Sequence, residues 1–217
     1  MHVVFKYFLL FIIYSFMGWL MEVIVVSITN HKLSNRGFLI GPVCPIYGVS
    51  VVVMTLLLTK YGEDYFTLFC MSFLICTVIE YSTSVIMEKM FKTRWWDYTH
   101  KKFNLNGRVC LQNSILFGIL GVLVIKFLNP FIMRFIDKLS ITIFNILSIV
   151  ILIILIIDIS FSFNVMCKIR GVVNNVRKDC TDEITKHVRE FIQSKSVLYK
   201  RILKAFPNLK STIKFKK

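Results

Sequence analysis

Apolar residues in this chain run in long blocks, without the strict alternation of a half-buried strand or the one-sided stripe of a surface helix. Five blocks approach the ~20 residues that a helix needs to cross about 30 Å of hydrocarbon: 7–28, 43–59, 65–87, 110–128 and 141–163. The second is the shortest and carries Pro45 and Gly48 near its start, which predicts a bent or re-entrant beginning. The first follows Lys6 and could pass for a signal peptide, but no small-x-small cleavage site comes after it, so it reads as a retained helix. The pattern predicts an all-α, polytopic five-helix transmembrane domain over 1–163. A polar tail, 164–217, follows it.

Composition agrees. Hydrophobic residues are 56% of the 217 and charged residues 18%, with Phe used 20 times, which excludes soluble, secreted and disordered classes. The formal charge is +15, and 14 of the 27 Lys and Arg lie in 164–217. Counting Lys and Arg on alternate sides of the five spans places 22 on one side and five on the other. The positive-inside rule then predicts an outward N-terminus and a cytoplasmic C-terminus.

Within the tail, Ile184, Val188, Phe191, Leu198, Ile202 and Ala205 recur at helical spacing and Pro207 ends the pattern, which predicts a basic amphipathic helix over about 181–206. Lys195, Lys200, Arg201 and Lys204 would hold it against anionic lipid of the inner leaflet. A membrane-surface role is a better account of this charge than nucleic acid. The six cysteines form no C-x-x-C pair and the four histidines are scattered, so neither a metal nor a cofactor is expected. A His-Glu-x-x-His motif, a nucleophile elbow and a P-loop are all missing.

Polar residues inside the spans gather at one depth. Glu22, Glu80 and Asp158 each lie five to seven residues before the inner end of an outside-to-inside helix, roughly 7–11 Å below that boundary at 1.5 Å per residue. Tyr47, Gln112, Asn113 and Ser114 open the two helices that run the other way. The expectation is a polar chamber open to the cytoplasm and shut on the outside by aliphatic residues and Phe. Ser15, Gly18, Trp19 and Glu22 share one helical face, as do Thr77, Glu80, Ser84 and Glu88. Ser114, Gly118 and Gly121 are spaced for close helix contact.

Two inner loops complete the chamber. The first, 35–48, is dense in Gly and Pro and predicts a tight, defined backbone. The second carries Arg94-Trp95-Trp96-Asp97-Tyr98 and Asn104-Leu105-Asn106-Gly107-Arg108. Paired Trp beside basic residues suits a headgroup belt, yet the cluster and its Asn-Gly turn suggest more order than a belt needs. Arg36, Arg94 and Arg108 could hold a phosphate or carboxylate bidentately, or could neutralise Glu22 and Glu80. The candidate ligand-binding set is therefore Glu22, Glu80, Arg36, Arg94, Arg108, Asp97, Tyr47, Asn113 and Trp19.

Several of these residues form a recognisable pattern. It comprises Tyr14-Ser15-Phe16-x-Gly18-Trp19-x-x-Glu22, the run from Asn35-Arg36-Gly37 to Tyr47-Gly48, and Glu80-Tyr81 with Met87-Glu88-Lys89. Arg94 to Tyr98, Phe103 to Arg108 and Asn113-Ser114 complete it. Over roughly 8–125 the chain resembles the ABC-transporter type IV permease family of small bacterial multi-pass membrane proteins. The resemblance implies a transport permease of the bacterial plasma membrane, a separate ATPase subunit, and a short coupling helix within 88–109. Five spans are few for a whole pathway, so a homodimer is expected.

Three functions fit. The first is a permease or transport-associated subunit taking an anionic or headgroup-like ligand. The second is a scaffold or sensor acting through its basic tail. The third is an intramembrane enzyme acting on a lipid or polyprenyl headgroup, with Glu22 or Glu80 as base, or Asp97 and His100 as an acid–base pair. Enzyme activity is the less favoured class.

Overall fold

A computed structural model describes residues 2–30, 37–91 and 94–178. Helices α1 (His2–Asn30), α2 (Pro45–Leu58), α3 (Tyr65–Phe91), α4 (Leu111–Leu123), α5 (Asn129–Asp137) and α6 (Ile141–Lys178) make up nearly all of it. A two-stranded antiparallel ribbon, β1 (Asn104–Leu105) and β2 (Val109–Cys110), lies between α3 and α4. Arg36 and residues 179–217, with the expected helix over 181–206 and its Lys195, Lys200, Arg201 and Lys204, lie outside the described residues, while α6 runs past the expected boundary at 163 into the tail, to Lys178.

Among the described residues, four helical stretches are long and apolar enough to cross a membrane: Val3–Ile28, Tyr65–Phe91, Leu111–Asp137 and Ile141–Cys167. The block at 43–59 forms a shorter apolar helix, Pro45–Tyr61, which ends in a 3-10 turn. The chain is thus a multi-pass helical membrane protein.

The third stretch, Leu111–Asp137, runs nine residues past the predicted end at 128. Pro130 has no N–H and its ring crowds the preceding turn, a combination that ordinarily breaks a helix. Here a five-residue π turn, Val124–Leu128, widens the helix just before it, and α4 continues into α5 as one rod.

The start of α2 explains its length. The residues before Pro42 and Pro45 are biased away from helix, and Cys44 is extended (φ −120°, ψ 92°), while Pro45 suits the first helical position. The segment 37–44 therefore runs back along α1 as irregular chain. Its Cys44 amide donates to the Ser15 carbonyl at 2.9 Å, near the middle of the α1 apolar stretch. Helix α2 begins at that level.

The irregular segment is held from α6. Asp158 Oδ1 accepts from the Ile40 amide and Oδ2 from the Gly41 amide, both at 2.9 Å. The Ser162 hydroxyl donates to Asp158 at 3.1 Å and also takes the Ile40 amide at 3.2 Å. Phe38 packs in an aromatic cluster with Phe91 and Trp95, and Phe91 reaches Phe163 of α6. Trp95 is buried in that cluster.

Helices pair at small residues. A Cβ on Gly18 would lie 2.3 Å from the Tyr47 ring, and one on Gly48 2.2 Å from Ser15 Oγ, so α1 and α2 are nearly in backbone contact. Gly118 against Phe69 and Gly121 against Ser72 do the same for α4 and α3. At the end of the bundle away from the ribbon, Lys6 pairs with Asp137 (2.6 Å) and Lys126 with Glu63 (2.9 Å). Asn129 donates to Thr55 at 2.8 Å, tying the rod to α2.

Gly48→Ala is expected to lower the thermal midpoint in detergent by the equivalent of about 1–3 kcal/mol of overpacking. The added methyl would also meet the Phe11 carbonyl at 2.4 Å, which is backbone and yields little. Gly62→Ala, whose methyl meets only the Thr59 carbonyl at 3.4 Å, should leave the midpoint unchanged.

Candidate functional site

The connection from α3 to α4 is ordered by its own polar side chains. Asn106 (φ 55°) and Gly107 (φ 68°) occupy the left-handed positions of a turn closed by the Arg108 amide on the Leu105 carbonyl at 3.0 Å. Two consecutive positive φ values are what an Asn-Gly hairpin turn requires. Asn104 Oδ1 accepts from the Gly107 amide, and its Nδ2 donates to the Lys101 carbonyl. The stretch 94–98 folds onto this turn through the Tyr98 amide on the Gly107 carbonyl (2.8 Å) and Trp96 Nε1 on the Arg108 carbonyl (2.9 Å). Described residues 94–110 therefore form a strapped ribbon and contain no helix, which corrects the coupling helix expected within 88–109.

The arginines of this platform are engaged. Arg108 forms an ion pair with Glu88 at 2.7 Å and donates to Ser84 at 3.3 Å, with its guanidinium over the Tyr81 ring. Arg94 shares Glu88 at 3.4 Å, lies 4.0 Å from Asp97, and donates to the Asn106 carbonyl. Asn106 in turn donates to the Tyr81 hydroxyl at 3.0 Å. Asp97 caps the Thr99 amide at 3.0 Å, and that hydrogen bond holds its carboxyl below the usual carboxylate range, with Arg94 and His100 adding to the effect.

Beneath the platform are the two carboxylates. Glu22 Oε1 on α1 accepts the Tyr47 hydroxyl at 2.7 Å. Tyr47 stands in the first turn of α2, so its ring reaches back along α1 toward Glu22, the direction that helical side chains lean. Glu80 Oε1 on α3 accepts the Tyr98 hydroxyl at 3.3 Å. Glu22 is close enough to act electrostatically on both Glu80 and Tyr98. Burial first, then the charges of Glu80 and Glu22, push the Tyr98 phenol up, so it keeps its proton and remains a donor.

Of the expected set, the structure brings Glu22, Glu80 and Tyr47 to one place. Asn113 sits on its edge, accepting from Lys101 at 3.3 Å, and Ser114 accepts from Thr77 at 2.9 Å. Trp19 stacks on Phe16 and lies 3.7 Å from the point where a Gly37 Cβ would be, against the irregular segment. Arg94, Arg108 and Asp97 belong to the platform. Asp158 is directed to backbone amides, so its depth in the sequence reflects support of the broken segment. Tyr98 was missing from the expected set. Its signal was its place after Asp97, in a cluster too ordered for a belt.

The architecture is that of a multi-pass helical membrane protein with polar side chains between its helices. Residues 9–163 match the family described as Putative ABC-transporter type IV, and the chain belongs to that family. No curated protein and no solved structure matches it.

Arg108→Ala is expected to destabilise the protein by about 1–3 kcal/mol, because Glu88 keeps its charge and loses its closest cation. Arg108→Lys should recover only part of this, since an ammonium cannot reach Glu88 and Ser84 while stacking on Tyr81. Thermal midpoints of the three proteins decide it. Because the folded Asp97 carboxyl is depressed, its contribution is present at neutral pH and fades as pH falls through the lowered value. Asp97→Asn should remove that part of the acid-side loss from a melting profile against pH.

Proposed function

We propose that the chain is the membrane-embedded subunit of a transport system, and that Glu22, Tyr47, Glu80 and Tyr98 form its ligand-handling site. The observation that carries this reading is the broken second segment. Irregular chain at 37–44 returns to mid-depth of α1, and α2 starts there with its first turn bonded to a carboxylate. Transporters build midplane sites from discontinuous helices of this kind, with half-helix N-termini aimed at the charged groups. Segment and helix together make the second of five crossings. The N-terminus faces outward, and the ribbon, platform and tail face the cytoplasm of the bacterial plasma membrane.

The family name supports a separate ATPase as partner, and the described chain offers no phosphate-binding loop of its own. The tail, through Lys195, Lys200, Arg201 and Lys204, lies on anionic lipid in this reading, and a second copy of the chain completes the pathway. Arg94 and Arg108 are taken up by Glu88, which weighs against the anionic ligand expected of them. Among the described residues, the charged group bonded to the first turn of α2 is Glu22.

Two measurements test the reading. In a variant lacking the six native cysteines, Lys102→Cys should react with an impermeant maleimide only in inside-out vesicles and Glu63→Cys only in intact cells; the reverse pattern overturns the orientation. Affinity purification from native membranes should recover an ATPase subunit whose turnover depends on the chain, and recovery of none overturns the transport assignment.

A further inference from the structure

We infer that the ribbon edge 99–105 is a docking site for anionic phospholipid, with Phe103 and Leu105 set among the ends of the acyl chains and Lys102 on the phosphates. The inference goes beyond the transport reading and does not depend on which way the chain crosses the membrane. Phe103 is 80% exposed and Leu105 57%, although the second strand of the same ribbon, Val109–Cys110, is buried. The Leu111 amide donates to the Phe103 carbonyl at 3.1 Å, so Phe103 is level with the first residue of the apolar stretch Leu111–Asp137. Large exposed apolar side chains at the level where a span begins stand at the depth of the headgroups. Farther along α4, Ile115, Leu116 and Ile119 are exposed as well, so the edge continues the surface that meets acyl chains. A partner protein would have to share this edge with the lipid.

The backbone holds Phe103 in this place at a cost. Its φ is 52°, in the left-handed region that a bulky residue seldom adopts. Asn104 next to it fixes the path, with Nδ2 donating to the Thr99 and Lys101 carbonyls at 3.3 and 2.8 Å. A strained residue whose ring finds little packing within the chain points to a role outside it. Charge selects the lipid. From Tyr98 to Leu111 the sequence holds Lys101, Lys102 and Arg108 and no Asp or Glu. Arg108 is held by Glu88, and Lys101 donates to Asn113. Lys102 is exposed beside Phe103. A lysine stem lying along apolar surface, with its ammonium in water, suits a phosphate at this level.

The test places a bimane probe on Phe103→Cys in the full chain, in the variant lacking the native cysteines, reconstituted in nanodiscs of equal parts phosphatidylcholine and phosphatidylglycerol. Bromines on acyl chains quench a probe that lies among them, and iodide quenches a probe in water. The probe at 103 should be quenched by the brominated chains and be several-fold better protected from iodide than one on Glu63→Cys, a residue exposed at the far end of the bundle. Ile154→Cys, exposed on α6, gives the reference for full immersion. With the bromines carried by phosphatidylglycerol alone, quenching at 103 should exceed that with the bromines carried by phosphatidylcholine alone. Lys102→Gln should cut this preference roughly fivefold. The tail is unchanged in that variant, so the loss belongs to the ribbon.

If Phe103→Cys does not fold, Leu105→Cys carries the probe with the same expectations. Iodide quenching at the ribbon equal to that at Glu63→Cys overturns the inference and turns the edge into a surface for a soluble partner. Equal quenching by the two brominated lipids overturns it as well, as does a preference that Lys102→Gln leaves intact.

Discussion

Hydrocarbon offers no water to an unmet amide, so backbone that leaves a helix at membrane depth must find its partners inside the protein. In this chain that demand falls on 37–44, and Asp158 meets much of it by accepting the consecutive amides of Ile40 and Gly41. One carboxylate on α6 thereby permits α2 to start halfway along α1. Tyr47 then stands in a first turn beside Glu22 instead of a full helix length away. The aromatic contacts of Phe38, Phe91 and Phe163 secure the same segment by packing.

The ribbon between α3 and α4 plays a matching part from the other side. Its Asn-Gly turn fixes the path of the chain so that Tyr98 hangs over Glu80, and Arg108 and Arg94 clamp the ribbon to Glu88. Each carboxylate of the site thus receives a phenol from an element whose own backbone is irregular. The site owes its form to two interruptions in an otherwise helical protein.

Much of this was legible in the sequence. Block lengths foretold the long helices, and the spacing of Ser15, Gly18 and Glu22 foretold a shared face that α2 does cover at Ser15 and Gly18. Pro45 marked the helix start. What could not be read is who pairs with whom. An Asp whose acceptor role is filled by main-chain amides leaves no trace in residue types, so Asp158 looked equivalent to Glu22 and Glu80. Likewise, Arg94 and Arg108 look the same in sequence whether they face a ligand or Glu88. The fourth span was expected to end at 128, because the π turn that carries the helix past Pro130 has no sequence signature of its own. The Asn106-Gly107 pair did signal a hairpin, and that local cue proved better than the coupling helix implied by family likeness.

The glycine contacts divide the bundle into two slabs, α1 with α2 and α3 with α4. Glu22 and Tyr47 belong wholly to the first, while Glu80 stands on the second and Tyr98 on the ribbon joined to it. Sliding one slab past the other would change the gap between the acids yet break neither phenol bond. Such a slide would first have to release Asn129 from Thr55 and Lys6 from Asp137, the two polar ties that cross the seam toward its far end.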